Sequence, residues 1–206
     1  MPSPTAHIYY GQAFLARHLN HDPGAFLRGT VFPDIRFVVR LERSRTHLLG
    51  VSLNDVRAEL DPWRAGMLFH CWLDEAWADY FGQWGLDRYD HAYDHKFRAL
   101  KLMEDDQLQR LLKDGEVEKL AGALGGVDMR ALDIGVTADE VQRWNGLIGD
   151  LLRQKDSMKA REKMLAELNL TAHQIRELEN EERRMARERV WQARVRDCRR
   201  VVTGLL

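Results

Sequence analysis

The stretch FHCWLDEAW, residues 69 to 77, places His70 and Asp74 four residues apart among bulky apolar neighbours. On a helix that spacing puts both side chains on one face, about 6 Å apart along the axis. An imidazole and a carboxylate on one apolar stripe have two uses. They can form an i, i+4 hydrogen-bonded pair, or they can donate together to one metal ion. Further donors stand on either side: His7 near the start, Asp34 in FPDI, His47 in RTHLL, then His91 and His95, again four apart. Seven of the eight histidines fall in the first 95 residues, a density that suggests a site. A hydrolytic zinc site draws His and carboxylate ligands from several elements, with a carboxylate able to bridge when two ions are present.

Several elements are needed to bring these residues together, and the chain supplies helices. AHIYYGQAFLARHLN carries apolar residues at helical spacing. In DPGAFLRGTVFPDIRF, Phe26 and Leu27 suit a short helix with Gly29 as its breaker, and Pro33 places Asp34 in a loop. Ser52 with Asp55 forms a capping box for a short helix. Asp61 and Pro62 form an N-cap and first helical position, opening a helix from about Trp63 to Trp84 with His70 and Asp74 near its middle. His91 and His95 suit the next helix, and residues 105 to 129 are helical in part, broken by GALGGVD. Thr137 with Glu140 starts a long amphipathic helix marked by Val141, Trp144, Ile148, Leu151, Met158 and Leu165. Thr171, capping against Gln174, starts the last, with a stripe of Trp191, Val195, Cys198, Val202 and Leu205. No strand pattern is long enough to build a sheet. The expected architecture is all-α, with a compact metal-binding core over 1–135 and a long amphipathic helical hairpin over 136–206.

Composition narrows the function classes. A chain of 206 residues, 45% hydrophobic, can bury a true core. It has no run of 18 or more apolar residues, and MPSPTAHIYYGQAF lacks the charged and apolar regions of a signal peptide, so a cytoplasmic location and no transmembrane segment are expected. Cys71 and Cys198 show no metal-type CxxC spacing and suggest no disulfide framework. Residues 1 to 150 carry 17 Lys/Arg against 23 Asp/Glu, whereas residues 151 to 206 carry 14 against 9. An acidic front disfavours extensive nucleic-acid wrapping. The eight arginines between Arg183 and Arg200 suit either a solvated helix face or an interaction surface, self-association through the hairpin included. Trp63, Trp72, Trp77, Tyr80 and Trp84 are expected in the core, and His18, His21 and His173 at the surface or at helix ends.

The order of these motifs resembles the zinc-dependent phospholipase C family, whose helical fold is shared with the single-strand-specific zinc nucleases. The resemblance covers roughly residues 5 to 100: a histidine before a helix at His7, GTVFPDI ending at Asp34 and Ile35, the TH of Thr46 and His47, and HCWLD from His70 to Asp74. It implies that Asp34, His47, His70 and Asp74 hold one zinc and that Asp74 bridges to a second, also held by His7. It also implies phosphoester hydrolysis by a metal-bound hydroxide, with Asp34 as an orienting or proton-accepting carboxylate. Asp34 and Asp74 are thus the catalytic candidates; for the substrate, a lipid head group, a nucleotide and a small phosphodiester all fit. The chain departs from the family pattern in two places. Met1 lies six residues ahead of His7, so the N-terminal amine that secreted members use as a ligand is expected to be missing or replaced. HAYDH offers His91 and His95 without the glutamate of the family's H-x-x-x-E helix, which leaves that pair open between ligands and a solvated helix face. The alternative function is a non-catalytic scaffold that works through the basic hairpin.

Overall fold

The computed structural model describes residues 3–18, 21–86, 94–153 and 158–206, and among these there are eleven α-helices and no strand. The all-α expectation holds. Helix α1 (Pro4–Leu15) starts at Ser3, whose hydroxyl accepts the Ala6 amide, with Pro4 at the first position. Helix α2 (Pro23–Val31) starts in the same way at Asp22 and runs into a 3-10 turn over Phe32–Phe37. The expected caps are present at Ser52 for α3 (Leu53–Ala58) and at Asp61 for α4 (Pro62–Gly82).

Gly29 does not break α2, contrary to the sequence reading. It lies inside the helix because α2 crosses α4 there at backbone contact. A Cβ on Gly29 would sit 2.0 Å from the Trp63 carbonyl oxygen, and one on Gly66 would sit 2.1 Å from that of Phe26. Two glycines facing each other let the helix axes approach more closely than any side chain would permit. Asp34 is corrected likewise: it lies in the first turn of the 3-10 segment and is buried.

The later helices are α5 (Asp94–Gln109), α6 (Asp114–Ala123), α7 (Arg130–Asp133), α8 (Ala138–Arg153), α9 (Met158–Glu167), α10 (Ala172–Ala186) and α11 (Arg189–Leu205). Thr137 caps α8 through the Glu140 amide, and Thr171 caps α10 through that of Gln174. The expected last helix is divided at Arg187 and Glu188. There Glu188 leaves the helical region (φ −89°, ψ 114°), and its carboxylate accepts from Arg184 and from the Trp191 indole. Of its stripe, Val195, Cys198 and Val202 are buried and Trp191 half-buried, while Leu205 faces solvent and Leu206 is buried instead. Helix α10 lies along α5, and α11 against α4 and α5. One apolar cluster therefore runs from Ala6 to Leu206.

Trp63, Trp77 and Tyr80 join that core and Trp72 packs against it, but Trp84 is 47% exposed, with the Arg194 guanidinium 4.2 Å over its ring. Position 84 falls beyond the end of α4, where the helical stripe no longer applies. Both cysteines are buried and free. Among the described residues no helix is long and apolar enough to cross a membrane.

One buried acid sets a pH dependence. Burial pushes the Glu104 carboxyl up to about 7, although Tyr10 and the Trp77 indole both donate to it, at 2.8 Å each. A carboxyl raised in the folded state stabilises fully below its ordinary value of 4.5, and that contribution is lost as the pH rises through about 7. Glutamine can accept from Trp77 and donate to the Tyr10 oxygen. Glu104→Gln is therefore expected to remove about 3 kcal/mol of the fall in stability between pH 5 and pH 8, read by urea unfolding. Asp105 and Glu182, also pushed up to about 7 by burial, keep part of the slope.

Candidate metal centre

The element that fixes the site is α4, which carries His70 and Asp74 one turn apart, both buried. The Gly29–Gly66 crossing brings the Thr30 carbonyl of α2 to 2.7 Å from His70 Nδ1. A carbonyl only accepts, so Nδ1 holds the ring proton and Nε2 presents a lone pair. His7 is set in the same way, with Nδ1 at 2.9 Å from the carbonyl of Ser3, the residue that caps α1. His47 follows a short 3-10 turn at Arg43–Arg45, and its Nδ1 lies 2.9 Å from the Thr46 hydroxyl. That hydroxyl also lies 3.4 Å from the Arg43 carbonyl, and which of the two contacts takes its one proton sets the His47 tautomer. All three imidazoles turn Nε2 inward, and those of His7 and His70 carry no proton.

The inward atoms meet. His7 Nε2 lies 3.4 Å from Asp74 Oδ1; His47 and His70 Nε2 lie 3.6 and 3.7 Å from Asp74 Oδ2. Asp34 Oδ1 is 3.9 Å from His70 Nε2 and 4.0 Å from His47 Nε2. The His7 and His70 rings stack at 3.8 Å, and the Nε2 atoms of His47 and His70 are 3.3 Å apart. In each of two groups, His7 with His70 and Asp74, and Asp34 with His47 and His70, the donor atoms lie within 4.8 Å of one another.

The electrostatics are unbalanced without a cation. Burial lowers the pKa of His7 and His70 and pushes that of His47 down to about 2, so the imidazoles are neutral near pH 7. Burial and the neighbouring Asp74 raise Asp34. Among the described residues, His7 Nε2, Asp34 Oδ1 and both Asp74 oxygens are buried without a hydrogen-bond partner. Native proteins leave few buried polar atoms unpaired, and these four point into one space. The Nε2 atoms of His47 and His70 face each other, so with His47 protonated at Nδ1 their lone pairs would repel unless a positive charge lay between them. Imidazole nitrogens beside carboxylate oxygens are the donor set of zinc and similar divalent ions, and each ring is already oriented through its other nitrogen.

His7, Asp34, His47, His70 and Asp74 are thus brought together. His91 lies outside the described residues. His95 is exposed on α5, where its charge bears on Glu181 of α10, and it belongs to neither donor group. Comparison of the chain with family models, curated proteins and solved structures returned no match.

Sequence reading missed the residues that orient the donors. Ser3 had a readable signal, since a serine before a proline is a helix start. Thr30 had none, because its contribution is a carbonyl positioned by two glycines on different helices. Cys71 was set aside, yet its sulfur accepts the Leu48 amide at 3.3 Å and so ties the segment that carries His47 to α4. Arg43 brings a guanidinium nitrogen to 3.8 Å from Asp74 Oδ2.

Proposed function

We propose that His7, Asp34, His47, His70 and Asp74 hold one or two divalent metal ions, zinc foremost, and that the protein hydrolyses phosphoesters. The observation that carries this reading is the convergence of three imidazole Nε2 atoms and two carboxylates, in which His7 Nε2, Asp34 Oδ1 and both Asp74 oxygens find no hydrogen-bond partner among the described residues. The resemblance of the motif order to that of the zinc-dependent phospholipase C family supports the same reading. Bound there, divalent ions lower the pKa of water toward ~7 and offset the charge that develops on a phosphoryl group.

The protein's own groups divide the remaining work. Ser3, Thr30 and Thr46 hold the imidazole tautomers. Asp74, approached by the Nε2 atoms of all three histidines, is the carboxylate that would bridge two ions. Asp34 faces a cavity that Arg36, Arg43 and Lys101 also line. It is placed to orient a water and take its proton. The three cations are placed to receive phosphate oxygens.

The test is metal content by mass spectrometry on protein purified without an affinity tag or chelator. One or two equivalents per chain are expected, with at least one lost in His70→Ala and hydrolysis of bis(p-nitrophenyl) phosphate reduced by at least ~100-fold. Protein that carries no metal and takes up no added zinc would overturn the reading and turn attention to the basic C-terminal helices.

A further inference from the structure

A cavity of about 400 Å³ has Asp34 in its wall. This is the size of a small-molecule site, and its lining is uneven. Near the metal cluster stand Arg36, Arg43 and Lys101. Arg43 approaches Asp74, and the charges of Lys101 and Arg36 bear on Asp34. Arg98, Asp105 and Arg161 also line the cavity, Asp105 bonded to Ser3 and Arg161 to Asp106 and Glu182. The remaining wall is chiefly apolar: Phe97 of α5, Trp144 and Leu151 of α8, Met164 and Leu165 of α9, and Leu178 of α10, all buried.

A core built from such residues ordinarily fills its interior with side chains. Space left open among leucines and aromatics holds water poorly and accepts apolar groups. An occupant that satisfies both parts of this wall has an anionic head for the cations and a hydrocarbon for the rest. If a benzene-sized cavity of ~150 Å³ takes six carbons, this volume holds one chain of about 8 to 12 carbons beside a phosphate, and not two.

We propose that the cavity binds a phosphoester bearing a single apolar chain, with the phosphate beside Asp34, Arg36, Arg43 and Lys101 and the chain between α5, α8, α9 and α10. As a statement about substrate it rests on the phosphoesterase reading; as a statement about binding it does not. Most of the apolar wall comes from beyond residue 100, where the family resemblance does not reach. The chain enters as a monomer and is enclosed by the protein.

The test uses non-hydrolysable alkylphosphonates, titrated calorimetrically below their micelle concentrations into the full-length protein. Affinity is expected to rise about fourfold per methylene, the equivalent of ~0.8 kcal/mol, and to exceed ~100-fold between propyl- and octylphosphonate before it levels off. Leu170→Trp, at a half-buried lining position in the turn after α9, is expected to abolish that gain and leave propylphosphonate binding unchanged. Leu178→Ala is expected to move the plateau to longer chains. A flat series in the unmodified protein overturns the proposal, as does chain-dependent binding to phosphatidylcholine vesicles with no one-to-one binding of the monomer. Chain-dependent binding in a protein that hydrolyses no phosphoester upholds the chain site and defeats the phosphoesterase reading. A flat series in a protein that binds zinc and hydrolyses bis(p-nitrophenyl) phosphate does the reverse.

Discussion

Asp74→Asn is expected to lose the thermal stabilisation that zinc confers on the unmodified protein. An ion supplied at ~1,000 times its dissociation constant adds about 4 kcal/mol to the folded state. For a chain of this length each kcal/mol moves the melting temperature by about 2 to 4 °C, so the expected gain is roughly 8 to 16 °C. In the variant the gain should disappear, because His7, His47 and His70 lose the carboxylate that all three approach within 3.7 Å. The metal-free variant is expected to be at least as stable as the metal-free parent. An asparagine amide can donate to a bare imidazole nitrogen, whereas both Asp74 oxygens are buried without a donor among the described residues. Calorimetry with zinc and with a chelator reads both effects, and far-ultraviolet circular dichroism checks that the helices persist. An equal zinc-induced shift in parent and variant would remove Asp74 from the ligand set.

Gly66→Ala is expected to be the most destabilising small substitution in the first half of the chain. Its Cβ would lie 2.1 Å from the Phe26 carbonyl oxygen and 2.9 Å from both the Gly29 Cα and the Thr30 nitrogen. Backbone at that range cannot rotate aside, so α2 and α4 must separate. A loss of about 3 to 5 kcal/mol is expected, with a melting temperature lower by roughly 10 °C. Because the same separation withdraws the Thr30 carbonyl from His70 Nδ1, zinc affinity should fall by about 10- to 100-fold. Gly82→Ala, inside the last turn of α4 with no atom near its Cβ direction, is the control and should leave both quantities unchanged. A Gly66→Ala protein with the parent's melting temperature would refute the close crossing.

What could be read from the sequence depended on whether the deciding contact was local. The caps at Ser52, Asp61, Thr137 and Thr171 lie within four residues of their partners, and each is present. His70 and Asp74 share a face because helical geometry alone dictates it. Gly29 was misread because its reason is Gly66, thirty-seven residues away, and a glycine read alone signals a break. Asp34 was given a loop because Pro33 suits one, and only the course of α2 turns it inward. Trp84 was assigned to the core by extending a stripe past the helix that generates it. The bare nitrogens of His7 and His70 were beyond sequence reading altogether, since each tautomer is set by a backbone carbonyl. The cavity was equally hidden, because volume left empty has no residue to announce it.

All five inward-facing donors lie between positions 7 and 74, whereas much of the apolar wall of the neighbouring cavity comes from positions 144 to 178. Changes late in the gene can therefore reshape the chamber without displacing any donor, and changes early in it can alter the donors while the chamber keeps its form. The two properties can be inherited and selected separately, within a molecule that has one continuous interior.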